Sequence, residues 1–260
     1  MASFHQHHHL IPNLLHWLAA GSLGASVASL AARFGVRDAD RMPGESPMPS
    51  CLYCLKPYSW QNLTPLFGWI LRPETLSFTC PCGQRKGEIA IPVIEILGAV
   101  IGIVAMVLGG WGPWDIPMIA GLTLLPAIAW VDLQYGIIPD VLNLLLGVLG
   151  ACWVWTSGGD FDIALLTAGG LLLTGLFFAV VYSHWRGREM LGLGDVKFFA
   201  AAGLWILPEQ VPWFLGMAGV WGVVLAYGWR RAGGGKEFPF APALCLSLII
   251  CIFYQIITTP

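Results

Sequence analysis

The sequence predicts an all-α fold, a polytopic transmembrane helix bundle of about eight segments with a small cysteine-rich insert on its cytoplasmic side. Three observations predict it. Of 260 residues, 57% are hydrophobic and only 11% charged, whereas soluble domains carry about 25% charged residues. So little polar surface cannot clothe a water-soluble body. Apolar runs then recur along the chain, several of them near the roughly 20 residues that a helix needs to cross a bilayer. Finally, the 13 Lys and Arg residues fall in alternate connections only.

The apolar runs occupy 10–34, 89–109, 115–131, 138–157, 162–183, 196–207, 211–228 and 239–258. The first lacks a basic lead-in and a small-residue cleavage site, so it reads as a retained helix and not a signal peptide. The sixth is short and reads as a span, a half-span or a re-entrant piece paired with the seventh through Pro208 and Pro212. Non-helical backbone at such depth needs protein or a wet cavity around it. Trp111, Trp114, Trp130, Trp155, Trp185, Trp213 and Trp229 cluster near span ends, as interfacial belts do.

Basic residues set the expected orientation. Arg33, Arg37, Arg41, Lys56, Arg72, Arg85 and Lys86 flank or occupy 35–88. Arg186, Arg188 and Lys197 surround 184–197, and Arg230, Arg231 and Lys236 occupy 229–238. The connections near 110–114, 158–161 and 208–210 contain none. Lys and Arg mark the cytoplasmic side, so both termini are expected outside and the long loop inside. No basic stripe interleaved with aromatics points to nucleic acid; membrane lipid is the expected surrounding. Three regions follow: a first helix at 1–34, the insert at 35–88 and a membrane-embedded domain at 89–260.

Within the insert, Cys51-Leu-Tyr-Cys54 is followed after 25 residues by Cys80-Pro-Cys82. A reducing cytoplasm argues against disulfides, and a C-x2-C turn supplies two of the four soft ligands that zinc prefers. Structural zinc on Cys51, Cys54, Cys80 and Cys82 is one reading. Four reduced thiols in a loop packed by Tyr53, Tyr58, Trp60, Phe67 and Trp69 is the other. A 54-residue insert buries little surface alone, which favours the metal.

Ionisable groups at the edge of a span suggest function by default, because they are costly there. Loop parity puts Asp132, before Leu-Gln-Tyr-Gly, and Asp195, in Gly192-Leu-Gly194-Asp195-Val-Lys197, on one side and at similar depth. Paired carboxylates that share a proton supply one acid and one base, which suits peptide hydrolysis. A plainer reading makes Asp195 the N-cap of an apolar helix, worth about 1 kcal/mol. Asp140, after Pro139, fits a cap or loop anchor. Glu95 reads either as a snorkelling interfacial acid or as part of a polar cavity. Lys197 reads either as a partner of Asp195 or as a lipid-phosphate anchor. Gly192 and Gly194 leave room for a substrate backbone beside Asp195.

An ordered set of motifs resembles the bacterial type IV prepilin peptidases, GxGD-type intramembrane aspartyl proteases. Pro49-Ser50-Cys51-Leu-Tyr-Cys54 resembles their P-S-x-C-x-x-C entry, and Ile91-Pro92-Val-Ile-Glu95 their Y-P-x-V-E segment. Asp132 to Asp140 resembles D-x7-D, Gly192 to Lys197 resembles G-x-G-D-x-K, and Phe238-Pro239-Phe240-Ala-Pro242 is similar to P-F-G-P. The second cysteine pair departs as C-x-C, and Ala90-Ile91-Pro92 stands where the family has R-Y-P. The resemblance implies Asp132 and Asp195 as the catalytic pair of a prepilin leader peptidase in the cell inner membrane, with the site facing the cytoplasm. It implies prepilin or pseudopilin substrates whose basic leader precedes an apolar helix. In many members it also implies N-methylation from S-adenosylmethionine. Two other classes compete on the residues alone: a proton-coupled transporter relaying through the same acids, and a catalytically lapsed pilin-assembly factor. The first predicts acids near the bilayer midplane and an internal helix repeat.

Overall fold

The computed structural model describes residues 14–40, 90–109, 115–186, 191–235 and 238–258. Among these residues the fold is all helix, with no strand. Eight helices follow in order: α1 (Leu14–Asp40), α2 (Ala90–Gly109), α3 (Ile116–Tyr135), α4 (Asp140–Thr156), α5 (Phe161–Leu176), α6 (Leu193–Ala202), α7 (Val211–Arg231) and α8 (Ala241–Thr258). Helix α5 continues through a π-helical stretch, Phe177–Tyr182, into Ser183–Arg186. Among the described residues, four segments are long and apolar enough to cross a membrane: Ile116–Tyr135, Phe161–Trp185, Pro208–Arg231 and Ala241–Thr258. Twenty residues of α-helix span about 30 Å, the thickness of the hydrocarbon layer. Val93–Gly109 and Asp140–Thr156 are shorter apolar helices.

Several helices differ from the predicted runs at their ends. Helix α1 extends beyond residue 34 to Asp40, and α3 runs one turn past 131, so Asp132 lies inside it. Helix α6 begins three residues before 196 and stops at Ala202; the chain covers 203–207 in turns. Hydrophobicity marks where a chain is buried, whereas helix ends are set by caps, and the two need not coincide.

Packing orders the bundle. Helices α1 and α2 press together through small residues. A Cβ on Gly98 would stand 2.5 Å from the Gly24 carbonyl oxygen, and one on Gly102 would stand 2.7 Å from that of Ala20. Small residues let backbones approach where lipid leaves no hydrophobic drive between helices. Helix α3 forms the centre, packed against α1, α2, α4 and α8. Its core face includes Met118, Leu122, Leu125 and Ile128. At one end of the bundle, the Gly35 backbone meets Val131 of α3 and Leu142 of α4. At the other, Trp205 fits against Gly121 of α3 and Gly150 of α4, and its indole N–H donates to the Leu146 carbonyl at 3.1 Å. Gln210 reaches the Cys251 carbonyl at 3.1 Å at that far end. The sixth run therefore passes from one end of the bundle to the other and does not turn back.

Trp155, Trp185 and Trp213 are exposed at helix ends, in keeping with the interfacial reading. Trp205, only 2% exposed, is a packing residue.

Candidate active site

Asp132 occupies the last turn of α3. Its carbonyl accepts the N–H of Gly136 at 2.7 Å, and Gly136 ends the helix with a φ of 68°, a left-handed cap that favours glycine. The side chain is 4% exposed. Its Oδ2 accepts the main-chain N–H of Ala241, the first residue of α8, at 2.8 Å.

Asp195 lies in the first turn of α6. Gly192 is the N-cap there, with extended backbone, so Asp195 is not the cap residue. It is the third helical residue, and the Gly192 amide donates back to its carboxyl, an arrangement akin to the acidic half of a capping box. The N-cap reading misplaced the role by one turn of sequence, because Gly is also well tolerated at an N-cap, only a little below Asp.

The structure brings the two aspartates together. Asp195 interacts electrostatically with Asp132, and the buried thiol of Cys245, one turn into α8, lies within the field of both. The same thiol contacts the backbone of Ala129 on α3. Three helix ends thus converge: the C-terminus of α3 and the N-termini of α6 and α8. Sequence reading found the two acids and missed the third element. A backbone N–H carries no residue signature.

Gly194 serves a neighbour within the chain. A Cβ there would lie 3.3 Å from Ile138 Cβ and 3.4 Å from the Ile138 backbone N and O. The loop after α3 occupies the space that the sequence suggested for substrate. Asn143 of α4 donates to the Gly194 carbonyl at 3.1 Å, which ties the Asp195 turn to the loop that follows Asp132. Lys197 pairs with Asp140 at 2.6 Å, both side chains largely exposed. Asp140 is therefore a cross-helix anchor. Lys197 takes this carboxylate in place of that of Asp195. Glu95 is 1% exposed and accepts from the Ser29 hydroxyl at 2.6 Å across the α1–α2 interface. The interfacial reading of Glu95 fails, because a snorkelling acid keeps its head in water.

Cys51, Cys54, Cys80 and Cys82 lie outside the described residues. Among the described residues, no group of three or more His, Cys, Asp and Glu side chains gathers to hold a metal ion.

The sequence model of the type IV leader peptidase family matches residues 118–227, a stretch that contains both aspartates. A prepilin leader peptidase/N-methyltransferase of Aeromonas hydrophila is 30% identical over 224 residues, 80% of this chain and 72% of its own length. This chain belongs to the type IV leader peptidase family. Another relative in the family, a prepilin leader peptidase/N-methyltransferase of Burkholderia pseudomallei (strain 1026b), is 29% identical over 95% of this chain and 79% of its own. A type 4 prepilin-like proteins leader peptide-processing enzyme of Escherichia coli is 27% identical over 80% of this chain and 76% of its own. No solved structure matches the chain.

Proposed function

We propose that this chain is a membrane aspartyl endopeptidase that removes the basic leader of type IV prepilins or pseudopilins, with Asp132 and Asp195 as its catalytic pair. The observation that carries the reading is the convergence of the α3, α6 and α8 ends on two carboxylates within one another's field. Two such groups, shielded from bulk water, share one proton. The ionised member takes a proton from the attacking water while the protonated member donates to the scissile carbonyl. The gem-diol then collapses as a proton passes to the departing amine, and the pair returns to its starting state.

The relatives' names support the substrate class: they process prepilin leaders. The pattern of basic residues supports a cytoplasmic face for the aspartate end, in the cell inner membrane, since Lys197 lies near the start of α6 and Arg230 and Arg231 in the last turn of α7. There a positive leader stays in water while the apolar helix behind it is held in lipid. N-methylation of the new terminus, with S-adenosylmethionine as donor, rests on the relatives' names alone, and no described residue is assigned to it. Structural zinc on the four insert cysteines rests on their spacing.

The position of the acids disfavours the transporter reading. Asp132 lies in the last turn of its helix and Asp195 in the first turn of its own, whereas a proton relay needs acids near the midplane. Co-expression with a type IV prepilin, followed by intact-mass analysis of the pilin, tests the proposal. Leader loss in cells with this chain, and none in cells without it, is expected; an added methyl mass reports the second activity. Precursor that binds the chain yet keeps its full mass would favour the lapsed assembly factor.

A further inference from the structure

We infer that the backbone amide of Ala241 is a positioning group for the aspartyl pair, an inference that rests on Asp132 being catalytic. Asp132 and Ala241 are 109 residues apart, and their 2.8 Å hydrogen bond joins the end of α3 to the start of α8. The sequence around Ala241 leaves few amides there. Pro239 and Pro242 have no N–H. The N–H groups of Ala243 and Leu244 are both satisfied by the Phe240 carbonyl, at 3.0 and 3.3 Å. The Ala241 N–H, at the first helical position, has no carbonyl of its own helix to bond, and it points at Asp132.

The approach to that amide is fixed from the other side. Phe240 packs into a notch on α7, where a Cβ on Gly222 would stand 2.7 Å from the Phe240 ring. Cys245, one turn further along α8 and 2% exposed, is buried within the field of both aspartates. Helix α8 thus presents the positive end of its dipole and one directed donor to Asp132. The oxygen that receives this donor is the poorer place for the shared proton. The other oxygen, Oδ1, has no hydrogen-bond partner among the described residues, and in this reading it is the one left for the shared proton.

The most direct test replaces Ala241 by its α-hydroxy acid analogue, so that an ester oxygen stands where the N–H was and the side chain is unchanged. Purified in detergent and given a prepilin, the ester enzyme is expected to lose roughly 10- to 100-fold in kcat, the size of a hydrogen bond to a charged acceptor, with KM unchanged. A wild-type kcat for the ester enzyme would overturn the inference. If the ester enzyme does not fold, the amide resonance of Ala241 in isotopically labelled protein decides: it is expected to move upfield in Asp132→Asn, and an unmoved resonance would overturn the inference. Asp132→Asn in the cleavage assay separates the two levels. An active Asp132→Asn enzyme sinks the catalytic reading itself, whereas an inactive one beside a fully active ester enzyme sinks the amide role alone.

Discussion

Asp132 was legible in the sequence because an acid near a helix C-terminus in an apolar run has no ordinary structural reason to be there. Asp195 was legible only as one of two things, a cap or a reactant, and the structure gives the N-cap to Gly192 while leaving Asp195 a capping contact with the Gly192 amide. The Ala241 amide could not be read, because every residue but proline offers one. Charge pairs were equally opaque: the sequence put Lys197 beside Asp195, two positions away, yet its partner lies 57 residues off in Asp140. That pair is exposed on both sides, so its worth is small. Lys197→Ala and Asp140→Ala are each expected to change unfolding stability in detergent by less than about 1 kcal/mol, and the double variant by no more than the larger single. A coupling well above that figure would mean the ion pair is shielded from water. The buried Ser29–Glu95 hydrogen bond is of another kind. Ser29→Ala is expected to cost about 1–3 kcal/mol, the worth of one hydrogen bond to a buried acid, read as a lowered unfolding midpoint.

Helix existence followed from apolar run length, and helix ends did not. Run length reports burial, while ends depend on caps such as Gly136 and Gly192 and on turns such as 203–207. The sixth run was the least legible element, since about 12 apolar residues fit a span, a half-span or a re-entrant piece. Its direction is settled by Trp205, which reaches the far end of α3 and α4 to fill a socket that two glycines leave open. Neither glycine looked different from any other in an apolar helix. Trp205→Ala is expected to cost about 3–5 kcal/mol through the cavity it leaves and to free α6 from the core. Protease sensitivity near 203–207 should rise with it, and unchanged resistance would count against the socket. The α1–α2 contact makes a sharper demand. Gly98→Leu must push the Gly24 carbonyl away, and an overpacked contact of this kind costs about 1–3 kcal/mol or more; separation of the two helices would show as a lowered unfolding midpoint.

At the scale of the bundle, the eight helices of the described residues alternate in direction, which brings the connections after α3, before α6 and before α8 to one end. Parity counted from basic residues already implied this for Asp132 and Asp195. It could not say that α6 and α8 lie beside the end of α3 and not across the bundle, since lateral neighbours are chosen by packing. Single cysteines placed at Gly136 and Gly233, in a background without reactive thiols, are expected to react with impermeant maleimide only from the cytoplasmic side. Cysteines at Gly158 and Glu209 are expected to react only from the other. Labelling of Gly136 and Gly158 positions from one side would contradict the alternation.

Cleavage itself is tested most directly by the intact mass of a prepilin processed by purified wild-type chain, Asp132→Asn and Asp195→Asn. Leader removal by the wild type alone, with both variants folded and inactive, is the predicted result. A variant of either aspartate that still shortens the precursor at the wild-type rate would contradict it.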